Sequence, residues 1–248
     1  MKLEKITDWL DRTLKVSDFD DVSNNGVQIE RDRSMDEKNA KPVVAFAVDA
    51  SVRAVKAAAN AGAQLLVVHH GISWGGGIRR VSGGVGRVIR EAVKSNIEIY
   101  ACHLPLDAHE RLGNNAQLAK LFGLRNVRKA FSYHGNVIGF IGEGDGVMVN
   151  KAVKTIVPTV EADFKGSILV GVCSGGAGEF VEEAKLLGCD VYITGEASWG
   201  DMIAAENCGM TMLCLGHYET EVFGVRAVAA EMRKALKVKT VDLTEELV

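Results

Sequence analysis

Leu3, Ile6, Leu10 and Leu14 recur at steps of three and four residues with charged positions between them, a spacing that predicts an amphipathic helix. Asn24, Asn25 and Gly26 end that pattern with a turn sequence suited to positive φ. The period then changes. Residues 42–48 and 64–68 are short runs of almost wholly apolar character, separated by helical spacing over residues 51–60 and a break at Gly62. Apolar strands alternating with helices predict an α/β sheet covered on both faces. A glycine-rich stretch at residues 71–86 follows, then a helix at 88–95 and a strand at 97–102.

The second half repeats this order: strand 168–173, helix 179–187, Gly188, strand 190–194, then strand 210–215. Each half also ends a strand in a histidine with a carboxylate four residues on, His103 with Asp107 and His217 with Glu221. The expected architecture is therefore α/β, two related α/β lobes with mixed sheets. The lobes are drawn at residues 1–125 and 126–248, with the C-terminal helix packing back on the first.

Composition narrows the function without choosing it. Of 248 residues, 47% are apolar and 25% charged, enough for a sizeable core. The 29 basic and 32 acidic side chains leave a formal charge of −3, which lacks the basic surplus that holds nucleic acid or an acidic membrane. Five cysteines, odd in number and without a C-x-x-C pair, argue against a disulfide framework or a Cys-rich zinc site and fit a reducing cytoplasm. The N-terminus has no signal-peptide pattern, and no apolar run approaches the roughly 20 residues of a membrane span.

The chemistry-bearing candidates gather at expected strand ends, where open α/β sheets bind ligands. They are His69 and His70, His103 with Asp107, and His217 with Glu221. Imidazole with carboxylate suits Zn, Mn, Fe, Co or Ni. Successive strand residues face opposite ways, so His69 and His70 address two neighbouring ions more readily than one. A helix starting near Tyr218 would put His217 and Glu221 one turn apart. Pro105 argues for a turn between His103 and Asp107, which leaves Asp107 ahead of His103 as a ligand. A carboxylate bridges two ions through its two oxygens, a role open to Glu221 or Asp107. His109 and His134, lacking such partners, are expected as solvated loop residues, and Trp74 and Trp199 as packing residues or the rim of a pocket. The glycine loop at 75–84, with Arg79 and Arg80, suits a lid over an anion. The glycines at 175–178 suit a tight strand-to-helix turn or a phosphate cradle.

Five separated motifs carry a family resemblance: residues 23–28 (SNNGVQ), 48–51 (VDAS), 65–71 (LLVVHHG), 100–107 (YACHLPLD) and 216–221 (GHYETE). The chain resembles the GTP cyclohydrolase I type 2 homologues, also called Ngg-interacting-factor-three-like proteins, in their short form. The resemblance implies a dinuclear metal centre in a cleft between two α/β lobes, with ligands His69, His70, Asp107, His217 and Glu221, the last touching both ions. It also implies a ring-shaped homohexamer.

The leading functional expectation is a hydrolase using two divalent ions per subunit on a nucleotide-like or other small anionic substrate, with His103 or Glu196 relaying a proton. Ring opening of GTP is one concrete version. The alternative is a non-catalytic metal-binding or regulatory ring. DNA binding through a ring lumen would need Arg79, Arg80 and Arg87 concentrated on an inner surface, against the net charge.

Overall fold

The computed structural model describes residues 2–34 and 41–247. Its chain forms two compact units, Met1–Leu106 with Val225–Val248, and Asp107–Gly224. The expected single cut after residue 125 gives way to a division in which the chain leaves the first unit at residue 106 and rejoins it at residue 225.

Unit one opens with α1 (Leu3–Leu14), whose Leu3, Ile6, Leu10 and Leu14 are all buried, as the spacing predicts. Its sheet has the order β1-β4-β3-β2-β10, built from β1 (Gly26–Ile29), β2 (Val43–Asp49), β3 (Leu65–His70), β4 (Glu98–Ala101) and β10 (Lys239–Asp242). β2, β3, β4 and β10 run parallel, and β1 is antiparallel to β4. Two helices, α2 (Val52–Asn60) and α3 (Gly83–Ser95), make the crossovers. Ser51 starts α2 by accepting the Ala54 N–H at 3.0 Å, a side-chain N-cap. Alternate strand residues Ala45, Ala47, Leu66, Val68, Ile99 and Ala101 pack with Ala54, Val55, Ala58, Val88 and Ala92 in one buried cluster. Strand residues of the opposite parity include Tyr100, whose hydroxyl donates to Asp11 of α1 at 2.7 Å. The helix α3 begins earlier than its apolar spacing indicates. Gly83, Gly84 and Gly86 lie in its first turn, so part of the expected glycine loop is helical.

Unit two carries α5 (Asn114–Leu121), the hairpin β5 (Arg125–Tyr133) and β6 (Asn136–Asp145), α6 (Gly146–Ile156), β7 (Ser167–Cys173), α7 (Val181–Leu186), β8 (Val191–Thr194), α8 (Trp199–Cys208) and β9 (Thr211–Cys214). The sheet order is β5-β6-β7-β8-β9. The first three strands are antiparallel and the last three parallel. Val170, Val172, Val191 and Ile193 pack with Leu118, Phe122, Val149 and Val153.

Both sheets thus contain three consecutive parallel strands joined by helices, β2-β3-β4 and β7-β8-β9. The antiparallel neighbour differs: β1 joins the last strand of its trio, while β6 joins the first strand of the other. The repeated rhythm seen along the sequence is therefore the parallel trio, and the flanking strands are particular to each unit.

Two helices complete the path. α4 (Leu104–Ala108) forms where a turn is expected, because Pro105 sits in its first turn, where a missing N–H costs nothing. α9 (His217–Leu236) starts at His217. Among the described residues, no helix is long and apolar enough to cross a membrane.

Candidate functional site

In unit one the carboxyl ends of neighbouring parallel strands bring three imidazoles together. β3 delivers His69 and His70, and His103 follows β4. Ring centroids lie 4.5 Å apart for His69 and His70, 5.1 Å for His69 and His103, and 5.8 Å for His70 and His103. One ligand nitrogen from each falls within 4.8 Å of the others, so this trio could hold a metal ion.

The outer nitrogen of each ring is anchored. His69 Nδ1 is 3.0 Å from the Cys102 carbonyl, His70 Nδ1 is 2.9 Å from Asp49 Oδ1, and His103 Nδ1 is 2.9 Å from Asp21 Oδ1. A carbonyl or carboxylate oxygen only accepts, so each Nδ1 carries a proton, and Nε2 is the nitrogen left to act as a metal ligand. This is the outer-shell pattern that orients metal-ligating histidines and raises their basicity. Asp49 reaches its position by register, as it lies directly opposite His70 in the β2–β3 pairing.

Asp21 is a member of the site that the sequence patterns do not reveal. Its side chain is 2% exposed and accepts from the Ser23 and Leu104 backbone N–H groups and from Asn25 as well as His103. Burial alone would raise its pKa, but the hydrogen bonds from His103, Ser23 and Asn25 outweigh it and hold the carboxyl at about 2. Asn25 also accepts from the His103 backbone N–H at 2.8 Å. A separation of 82 residues between Asp21 and His103 leaves no spacing signal to read.

Gly71, directly after the His pair, is required by space. A Cβ there would collide with the Gln28 amide and the Ala101 methyl. Gln28 in turn accepts from the Ile72 and Ser73 backbone N–H groups, fixing the segment that carries Trp74.

In unit two, Asp107, His217 and Glu221 come together. His217 and Glu221 share one face of α9, with Nε2 to Oε1 at 3.1 Å, as the spacing predicts. His217 Nδ1 is 3.0 Å from Glu196 Oε1. Asp107 and Glu221, both buried, place carboxylate oxygens within 4.8 Å of each other. The hydrogen bond and charge of Glu221, then those of Glu196, outweigh burial and raise the His217 pKa to about 9. Carboxylates in such excess call for a cation, which a proton or a divalent ion supplies.

Asp107 is clamped by residues outside the expected set. Its Oδ1 accepts from Asn114 at 2.8 Å and from Ser174 Oγ at 3.2 Å. Asn115 accepts from the Ser174 backbone at 2.7 Å and donates to the Ile138 carbonyl, so the pair of buried asparagines opening α5 braces this loop. The residues 175–178 form the tight strand-to-helix connection. Gly175, at φ +68°, lies so close that a Cβ would strike Glu221 Oε1.

The remaining histidines stand apart from these groups. His134 is exposed in the β5–β6 turn, as expected. His109 is not merely solvated: its Nδ1 accepts from the Arg111 and Leu112 backbone N–H groups and shapes the turn after α4.

Imidazole nitrogens with carboxylate oxygens, the imidazoles and Asp107 anchored by further polar groups, fit a transition-metal dication. Comparison with known proteins places the chain among relatives of similar length. A GTP cyclohydrolase 1 type 2 homolog of Pyrococcus horikoshii is 38% identical over 250 aligned positions, covering 97% of both chains. One of Archaeoglobus fulgidus is 35% identical, covering 98% of both. Among solved structures, a Thermus thermophilus protein superposes with a TM-score of 0.81 at 27% identity and 98% coverage of each chain. The model of the Duf34/NIF3 (NGG1p interacting factor 3) family matches residues 1–246, and the chain belongs to that family.

Proposed function

We propose that the protein is a hydrolase that uses two divalent metal ions, drawn from Zn, Mn, Fe, Co or Ni, on a nucleotide-like or small anionic substrate. In this reading His69, His70, Asp107, His217 and Glu221 would hold the ions. The observation that carries it is the common arrangement of three histidines, His69, His70 and His103, each of which gives Nδ1 to an oxygen acceptor and brings a ring nitrogen within 4.8 Å of the other two.

Ions bound there would supply Lewis acidity toward a substrate oxygen and would acidify an attacking water. The chain's own groups do the rest. His103, backed by the ionised Asp21, takes a proton at Nε2 and passes it to the leaving group, the Asp–His arrangement of a general base. Glu196, the second expected proton carrier, holds His217 at Nδ1 and sets its orientation. The name borne by the relatives makes hydrolytic opening of the GTP purine ring the first reaction to try.

A homo-oligomer, as large as a hexamer, belongs to the same reading. It is supported by the apolar face of α8, where Trp199 is 80% exposed beside Met202 and Ile203. Five free cysteines support a cytoplasmic location.

The test is elemental analysis of purified protein together with turnover of GTP and a phosphoester panel after metal reconstitution. Two ions per chain and metal-dependent turnover abolished by Asp107→Ala are expected. Bound metal without any turnover would leave a regulatory or metal-binding ring in place of an enzyme.

A further inference from the structure

Trp74 lies four residues beyond His70, and its ring meets the histidine trio directly. The indole centroid is 5.1 Å from that of His103, nearly perpendicular at 78°, and 6.1 Å from that of His70. Its polar handle is already used, since Nε1 donates to the Gly71 carbonyl at 3.0 Å. Its backbone is fastened too. Trp74 bridges to Ser23, the Gly75 N–H donates to the Val22 carbonyl at 2.6 Å, and the Asn24 N–H donates to the Ser73 carbonyl at 3.1 Å.

The ring is fixed in place and yet remains 38% exposed. The next three residues carry no side chains, and a Cβ at Gly75, Gly76 or Gly77 would meet nothing within 4 Å. A fixed, partly exposed aromatic ring thus stands against two of the three imidazoles, and the loop that follows it is free of bulky side chains for three residues. Further along the same loop, Arg79 and Arg80 are exposed.

We infer that Trp74 is the stacking platform for a planar heteroaromatic ring, the purine base of a nucleotide, held beside the imidazole trio. This rests on the hydrolase reading above and narrows its two substrate classes, nucleotide-like or small anionic, to the one that carries a base. The indole offers a π-face whose orientation is set before binding, so little entropy is lost on stacking. Arg79 and Arg80 supply charge for the phosphates.

The experiment uses full-length, metal-loaded protein carrying Trp9→Phe and Trp199→Phe, so that Trp74 alone emits. GTP and guanosine should quench its fluorescence saturably, whereas ribose 5-phosphate should not. In equilibrium dialysis on the otherwise unaltered chain, Trp74→Leu should weaken GTP binding by about ten- to a hundredfold, with Trp74→Phe retaining most of it. Metal content should be unchanged in both variants. Equal GTP affinity in Trp74→Leu, equal competition by ribose 5-phosphate, or no GTP binding at all would overturn the platform. Those results with two ions still bound leave the metal centre standing, whereas a chain that retains no metal refutes the hydrolase reading itself.

Discussion

Asn114 donates a side-chain N–H to Asp107 Oδ1 at 2.8 Å while its own oxygen accepts the Gly224 N–H at 2.7 Å. One amide thus fixes a carboxylate and a helix together. Ser174 adds a second donor to the same oxygen of Asp107, so the rotation of the carboxylate is set from outside. Asn114→Ala should weaken metal binding by about ten- to a hundredfold, the usual cost of losing an outer-shell partner. Competition against a chromophoric chelator checks this, and Ser174→Ala should show a smaller loss of the same kind.

Arg33 makes three contacts with the Glu98 carboxylate, at 2.8, 3.0 and 3.3 Å, and Glu98 has no exposed side-chain surface. Replacing Arg33 by Met leaves that carboxylate buried without its guanidinium. The expected loss is about 3–5 kcal/mol in urea unfolding, and Arg33→Met combined with Glu98→Gln should recover part of it.

The Asp21 carboxyl, held at about 2, contributes a pH-dependent share of stability. An unfolded aspartate titrates near about 3.9, so the folded chain binds this proton less readily than the unfolded one. The contribution is complete above about pH 4 and disappears as the pH falls toward 2. Unfolding free energies measured across this window should decline more steeply for the native chain than for Asp21→Asn.

Removal of metal offers a separate check. A chelator should lower the melting temperature and readdition of Zn or Mn should restore it, since a ligand at a hundred times its Kd stabilises by about 2.7 kcal/mol. In His69→Ala the response to metal should be largely lost. A chain whose melting ignores both chelator and metal would contradict the proposed centre.

The strands β2, β3, β7 and β8 could be read from the sequence because burial on both faces writes them as unbroken apolar runs. The hairpin β5–β6 and the strand β10 could not. β5 exposes its first five residues, and β10 lacks any alternation of buried and exposed positions. Of the site, the histidines and acids at strand ends stood out by type and spacing. Asp21, Asp49 and Asn114 did not, because their roles depend on contacts across 82, 21 and 7 residues that no local period encodes. Pro105 misled for a positional reason: a residue that breaks a helix interior is at home in its first turn.

The β2–β3 pairing sets Asp49 opposite His70, and five of the six β3 residues are buried. A slip of one residue would turn His70 inward and push His69 out, because neighbouring strand positions face opposite ways. The two imidazoles would trade surroundings, and the acid at the end of β2 would face the wrong one. The reactivity of this corner is thus spelled by counting along a ladder, and a shift of one rung would misspell it while leaving every ligand in the chain.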